Sequence, residues 1–196
     1  MATEPNLRLI LASGSRGRRY LLEREGYTFE VRPADVDEPT GEGFTDIRQY
    51  VHTTAWLKAA AVAPQFTDGL ILAADTVGWI DGQVIGKPAD AADARRILRT
   101  LGGREHELWT GVVLWRRPGD MQLAWQEATR VFVQKFTDAE LETYLTTRQW
   151  EGCSGAYAIQ DENDPYVKVV KGSVSNVIGL PMESLTETLQ RIREMN

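Results

Sequence analysis

Five consecutive apolar residues, Leu70-Ile71-Leu72-Ala73-Ala74, follow an Asp68-Gly69 turn. A strand with one face in water alternates apolar and polar positions, so an unbroken run reads as a strand buried on both faces. Such a strand demands a layer of structure on each side of its sheet, and the remaining chain must supply both. The run hands over to Asp75 and Thr76, which this reading places at the carboxyl end of the strand, where open sheets gather their ligands.

Strand and helix signals alternate along the rest of the chain. Leu7 to Ala12 is a second apolar run, followed by Ser13-Gly14-Ser15-Arg16-Gly17-Arg18-Arg19. A helix of about two turns from Arg18 to Glu25 closes at Gly26, which suits a left-handed cap. Phe29-Glu30-Val31 resumes as strand, and Thr45 or Asp46 caps a helix with Ile47, Val51, Ala55 and Ala59 on one face and Lys58 near its end. Trp79 to Ile85 reads as a hairpin around Asp81-Gly82, and Asp90 caps a helix ending at Leu101-Gly102. Strands near His106 to Arg116 and Leu123 to Phe136 pair antiparallel through Pro118-Gly119-Asp120, and their tryptophans predict a largely covered sheet. Thr137 and Glu140 form a capping box, Tyr166 to Val170 is strand, and Pro181 opens a last amphipathic helix. The pattern is α/β, with a mixed sheet.

With 196 residues, 42% of them hydrophobic and 26% charged, the chain has core enough for one globular domain or two small lobes. A net charge of −6 opposes broad attraction to nucleic acid, so phosphate chemistry belongs in a local basic pocket. Residues 1–6 lack a secretory pattern, and no apolar stretch approaches the roughly 18 residues that span a membrane. A cytoplasmic protein is expected. The single cysteine, Cys153, rules out an internal disulfide and a thiolate-rich zinc site, and two histidines, His52 and His106, cannot build a histidine-rich metal centre.

Four separated clusters carry complementary chemistry. In Ser13 to Arg19, glycines let backbone N–H groups approach a ligand, hydroxyls donate, and guanidinium groups fork onto phosphate oxygens at a helix N-terminus. Asp35-Val36-Asp37-Glu38 with Lys58, Asp75-Thr76 with Lys87, and Gln160 add carboxylates, ammonium groups and an amide able to read a base edge. Carboxylates beside basic groups make sense when a divalent cation bridges them to an anion, so a triphosphate with magnesium is the natural ligand.

At these residues the chain resembles the Maf family of nucleotide pyrophosphatases, once described as septum-formation inhibitors. The resemblance runs from about Leu9 to Leu185, through Leu-Ala-Ser-Gly-Ser, Asp-Val-Asp-Glu, Ala-Asp-Thr-Val, Gly-Lys-Pro, Gly-Gly-Arg-Glu-His with Thr110-Gly111-Val112, Gly155 to Gln160, and Gly172 to Pro181. It implies one Maf-like domain over residues 1–196, folded as a long twisted mixed sheet with helices around it, two lobes and a central cleft, like inosine triphosphate pyrophosphatases. It implies a homodimer that hydrolyses nucleoside triphosphates to the monophosphate and pyrophosphate with magnesium or manganese.

By the same resemblance Asp75 is the essential catalytic aspartate, positioning a metal or activating water, and Glu38 is a second carboxylate at the metal. Lys58 and Lys87 match lysines that hold phosphates, and Ser13, Ser15 and Arg18 match the phosphate turn. Thr76 and Gln160 match residues used around the base by the branch preferring dTTP, UTP or CTP. The family turn reads Ser-Pro-Arg-Arg where this chain has Ser15-Arg16-Gly17-Arg18, and Asp-Lys-Ala becomes Gly152-Cys153-Ser154. Arg16 is therefore expected to bind substrate in place of the missing arginine, with Gly17 loosening the backbone beside it.

Simpler roles exist for several residues. Asp35 and Asp37 read as solvated loop charges, and Cys153 as a small residue in a glycine turn, with no histidine near in sequence to activate it. The histidines and tryptophans read as structural. Two other functions stay open at this point: a nucleotide-binding regulator of cell division with little turnover, and a pyrophosphatase for modified purines such as 7-methyl-GTP.

Overall fold

The computed structural model describes residues 8–41, 43–159 and 164–195. The apolar run at Leu70 belongs to a strand of 12 residues, β3 (Gly69–Ile80). The other strands are β1 (Leu9–Leu11), β2 (Phe29–Val31), β4 (Gln83–Ile85), β5 (Arg104–Arg117), β6 (Gln122–Val133) and β7 (Val167–Lys171). The helices are α1 (Arg16–Arg24), α2 (Ile47–Val62), α3 (Ala91–Leu101), α4 (Asp138–Thr146), α5 (Val174–Ile178) and α6 (Met182–Glu194), with short 3₁₀ turns at Ala63–Gln65 and Ser154–Ala156. The seven strands form one mixed sheet in the order β2-β1-β3-β5-β6-β7, with β4 on β3. β1 runs parallel to β2 and β3, and the remaining pairs are antiparallel.

The pairing of β3 shapes the molecule. One edge is taken along almost its whole length by β5, from Gly69 opposite Arg117 to Trp79 opposite Glu107. The opposite edge is shared, with β1 beside Leu70–Leu72 and β4 beside Gly78–Ile80. Between them, residues 73–77 have no strand neighbour on that edge among the described residues. This break in the sheet separates two packing regions. On the β1 side, Ala55 and Ala59 of α2 meet Ile71 and Ala73, while Leu21 of α1 and Leu185 and Leu189 of α6 meet Leu70 and Leu72 on the other face. On the β4 side, Ile97 and Leu98 of α3 and Leu141 of α4 enclose Ile80, Leu108 and Val133. Each leucine, isoleucine or valine so withdrawn from water contributes about 1.5–3 kcal/mol. Two lobes thus share one sheet.

Local signals account for the helix ends. The Ser15 hydroxyl accepts from Arg18 N, so α1 starts at Arg16, two residues before the expected start. Asp46 rather than Thr45 caps α2, accepting from Arg48 N at 2.9 Å. Asp90 caps α3, and the Thr137–Glu140 capping box forms in both directions. Pro181 occupies the cap position of α6 rather than its first turn.

Two expectations need correction. β3 does not end at Ala74: β5 continues alongside it, so Asp75 pairs with Gly111 and Thr76 with Thr110 in mid-strand. Asp75 lies instead just past the end of the parallel β1 segment. The second correction concerns coverage, since β5 is largely buried while the first half of β6 is open, with Leu123 at 37% exposure. Among the described residues no helix is long and apolar enough to cross a membrane.

His106 supplies a pH-dependent element of stability. It is buried in the β4-side core with Nε2 at 2.8 Å from the Tyr157 hydroxyl. Burial, and then the charge of Arg104, push its imidazole down from 6.5 to about 4. Above pH 6.5 folded and unfolded chains both hold it neutral, whereas between 6.5 and 4 only the unfolded chain takes up the proton. Stability is therefore lost as pH falls through this window, by about 3 kcal/mol at roughly 1.4 kcal/mol per pH unit. Urea unfolding at pH 7.5 and 4.5 is expected to show a smaller acid loss for His106→Gln than for the parent. Equal losses would remove His106 from the account.

Candidate active site

Successive side chains on a strand point to opposite faces, so the neighbours Asp75 and Thr76 serve different neighbourhoods. On the Asp75 face lies α2. Gly111, opposite Asp75, permits this approach, because a Cβ there would stand 2.4 Å from the Val51 carbonyl oxygen. Two turns beyond Val51, Lys58 Nζ reaches Asp75 Oδ1 at 2.7 Å and Glu38 Oε1 at 2.9 Å. Lys58 and Asp75 are buried, with side chains 8% and 6% exposed, while Glu38 is 43% exposed. Asp75 Oδ2 is buried with no hydrogen-bond partner. A carboxylate oxygen in that state is costly unless a ligand, an ion or water completes it. Burial pushes the Glu38 carboxyl up, but its hydrogen bond to Lys58 and the charges of Lys58, Lys87 and Arg18 outweigh this and hold it below the usual carboxylate value.

On the opposite face Thr76 meets the turn after β1. Arg18 is buried and donates through Nε to the Gly179 carbonyl at 2.9 Å, through one terminal nitrogen to Ser13 Oγ at 3.0 Å, and through the other to Thr76 Oγ1 at 3.2 Å. All three acceptors are neutral, and among the described residues no carboxylate lies within ion-pair distance. Burial draws the guanidinium down from its ordinary value, against the charges of Asp75 and Glu38. Ser15 N donates to Ser13 Oγ at 3.2 Å, which closes the turn. Thr76 Oγ1 is also 3.0 Å from Thr110 Oγ1 and 3.4 Å from the Gly179 carbonyl, so its hydrogen-bonding capacity is taken up within the protein.

The four sequence clusters are thus assembled as two groups across one strand. Glu38, Lys58 and Asp75 touch directly, as do Ser13, Ser15, Arg18 and Thr76. Lys87 and Arg16 are exposed, but the charge of Lys87 acts on Glu38 and the charges of both act on Cys153. Gln160 lies outside the described residues. Asp35 and Asp37 are exposed, as solvated loop charges should be. The Cys153 thiol is pushed up by burial against the charges of Arg16 and Lys87, which disfavours a thiolate.

Several participants had no assigned role in the sequence. Thr110 and Gly111 stand on β5 behind the site, and Ser154 Oγ donates to the Thr76 carbonyl at 2.7 Å, at the break in the sheet. Gly179, at φ +131°, ends α5 and offers its carbonyl to Arg18. The Gly-Leu-Pro run at 179–181 was the visible sign of such a turn.

Gly17 departs from its expected role. It lies inside α1, not in a relaxed loop, and a Cβ there would stand 2.8 Å from the Ile178 carbonyl oxygen. Its absent side chain lets α1 settle on the end of α5, which sets the distance from Arg18 to Gly179. Gly17→Ala is expected to lower stability by about 1–3 kcal/mol through this overlap. A urea midpoint equal to the parent's would show that α5 yields freely.

Fold and site together define an α/β protein with a buried arginine in a strand–turn–helix segment on one face of the central strand and a carboxylate–ammonium cluster on the other. The chain belongs to the Maf family: the profile of Maf-like proteins matches residues 8–192. A dTTP/UTP pyrophosphatase of Rhodopirellula baltica is 41% identical over 188 residues, covering 95% of this chain and 82% of that protein. A dTTP/UTP pyrophosphatase of Anaeromyxobacter sp. is 44% identical over 187 residues, covering 94% and 89%. The solved structure of the Staphylococcus aureus Ham1 protein aligns with 64% of this chain and 71% of its own, at 16% identity and a TM-score of 0.47.

Proposed function

We propose that this chain hydrolyses pyrimidine nucleoside triphosphates, dTTP and UTP above all, to the monophosphate and pyrophosphate. The observation that carries the reading is the unpartnered Oδ2 of Asp75, a buried oxygen with the capacity to accept a proton or a cation. The names of the two relatives supply the substrate class.

Asp75 and Glu38 fit a magnesium or manganese ion. Both offer hard oxygen donors with lone pairs beyond those that Lys58 takes, and one or two carboxylates with substrate phosphates is the usual holding set for such ions. When bound, the ion supplies neutralisation of phosphate charge and a more acidic water.

The chain's own groups do the rest. Arg18 is a buried guanidinium with only neutral partners, so phosphate oxygens complete its electrostatics at the N-terminus of α1. Exposed Lys87, whose charge acts on Glu38, and exposed Arg16, whose charge with that of Lys87 acts on Cys153, are assigned to the outer phosphates. Lys58 fixes the orientation of Asp75 through Oδ1, leaving Oδ2 to receive the proton of the attacking water. The water oxygen bonds to the α-phosphorus, the bond to the bridging oxygen breaks, and pyrophosphate leaves. Thr76 contributes by holding Arg18, and Gln160 is assigned to the base edge.

Chromatographic product analysis of purified protein with magnesium and dTTP, UTP, CTP, GTP and 7-methyl-GTP tests this. Pyrophosphate with dTMP or UMP is expected. Orthophosphate with the diphosphate, preference for 7-methyl-GTP, or binding without turnover would each overturn it.

A further inference from the structure

We propose that Tyr50 is a positioning residue that holds Glu38 at the metal-binding side of the site by gripping the backbone of the next residue. The inference rests on the functional reading above and adds to it a residue outside every motif that led there.

Tyr50, Thr54 and Lys58 fall at four-residue intervals on α2 and so share one face. All three are buried. From that face the Tyr50 hydroxyl donates to the Pro39 carbonyl at 3.0 Å, while Lys58 takes the Glu38 side chain at 2.9 Å. Adjacent residues of the 33–41 loop are thereby held from one helix, one through its main chain and one through its carboxylate. The Thr54 hydroxyl donates to the Tyr50 carbonyl at 3.0 Å, an intrahelical bond on the same face. The ring of Phe44 meets Tyr50 edge-on at 5.2 Å, and Gly41 is pressed against Val84, with a notional Cβ at 2.9 Å.

Ala34 anchors the start of the loop against the core beside Ala55 and Ala59, but beyond it Asp35, Asp37 and Glu38 are exposed and no regular element spans the segment. Burial, then the charges of Asp75 and Glu38, push the phenol up to about 12, so it remains a donor throughout neutral pH. A group that orients a metal-holding carboxylate controls affinity for the ion, and losing such a partner typically weakens binding about 10–100-fold.

The test compares Tyr50→Phe, which removes only the hydroxyl, with Phe44→Leu, which removes the ring contact and keeps it. Manganese binding to purified protein is followed through the electron paramagnetic resonance signal of free Mn²⁺, in the presence of a non-hydrolysable dUTP analogue. Urea midpoints are measured alongside. Tyr50→Phe is expected to weaken manganese binding by about tenfold, near the lower end of such losses, and to raise the half-saturating metal concentration for turnover by the same factor. Phe44→Leu is expected to lower the urea midpoint without altering manganese affinity. Unchanged manganese affinity in Tyr50→Phe, or equal weakening in both variants, would overturn the positioning role. Because binding is read without turnover, a parent protein that binds manganese but releases no pyrophosphate would overturn the proposed reaction and leave this comparison decisive.

Discussion

Asp75→Asn is expected to reduce pyrophosphate release by about 10²–10⁴-fold, the contribution usual for a positioned proton acceptor. The asparagine carbonyl can still accept from Lys58 in the place of Oδ1, so the contact between β3 and α2 survives. At the position of Oδ2 an amide group replaces the unpartnered oxygen, and it can neither take a proton nor bind a cation. Lys58 keeps Glu38 as a charge partner, so the fold is expected to persist. Initial rates at saturating magnesium and dTTP, with circular dichroism as the control for folding, decide the matter. A variant retaining more than about a tenth of parental turnover would remove Asp75 from the chemistry, given that range.

Lys58→Met is expected to have the largest effect on stability. The ammonium is the shared partner of two carboxylates, and Asp75 is buried almost completely. Removing one member of a buried ion pair typically costs about 3–5 kcal/mol, because the other charge is left without compensation. The pH dependence carries a second signature. In the parent, Glu38 is held low, so its contribution is present above its unfolded value and is lost as pH falls through the folded one. Its hydrogen bond to Lys58 is the largest influence opposing burial, so the variant should lose less stability on acidification. Urea midpoints of parent and variant at pH 7.5 and pH 4 provide the comparison. A variant as stable as the parent at pH 7.5, with the same acid loss, would show that Lys58 is not a structural partner of the carboxylates.

Much of the local structure was legible because short-range chemistry governs it. Asp46, Asp90 and Thr137 are caps because their side chains reach backbone N–H groups two or three residues away, whatever the rest of the chain does. The Asp81-Gly82 hairpin is equally local. Gly17 was misread for the complementary reason: its neighbour Ile178 is far away in sequence, and nothing near position 17 announces that a helix end will arrive there. Tyr50 went unassigned because it looks like any aromatic residue on a helix until the 33–41 loop is seen to fold back over it.

The sequence by itself determined which groups were available: a continuous apolar strand, a Ser-Gly-Ser turn rich in arginine, a pair of lysines and a small set of carboxylates. It also determined the Maf resemblance, through the order of those motifs. Only the tertiary structure decided how they divide. The alternation of side chains along β3 sends Asp75 to Lys58 and Glu38 and sends Thr76 to Arg18 and Ser13, although the two residues are adjacent. The break between β1 and β4 leaves that strand without a strand neighbour at the same point among the described residues, where Ser154 reaches the Thr76 carbonyl instead. The pairing of β3 depends on partners far away in sequence, Leu9 opposite Leu70 on one edge and Arg117 opposite Gly69 on the other, and a one-residue slip would exchange the two faces. The placement of the site is therefore a property of the sheet register, which no motif contains.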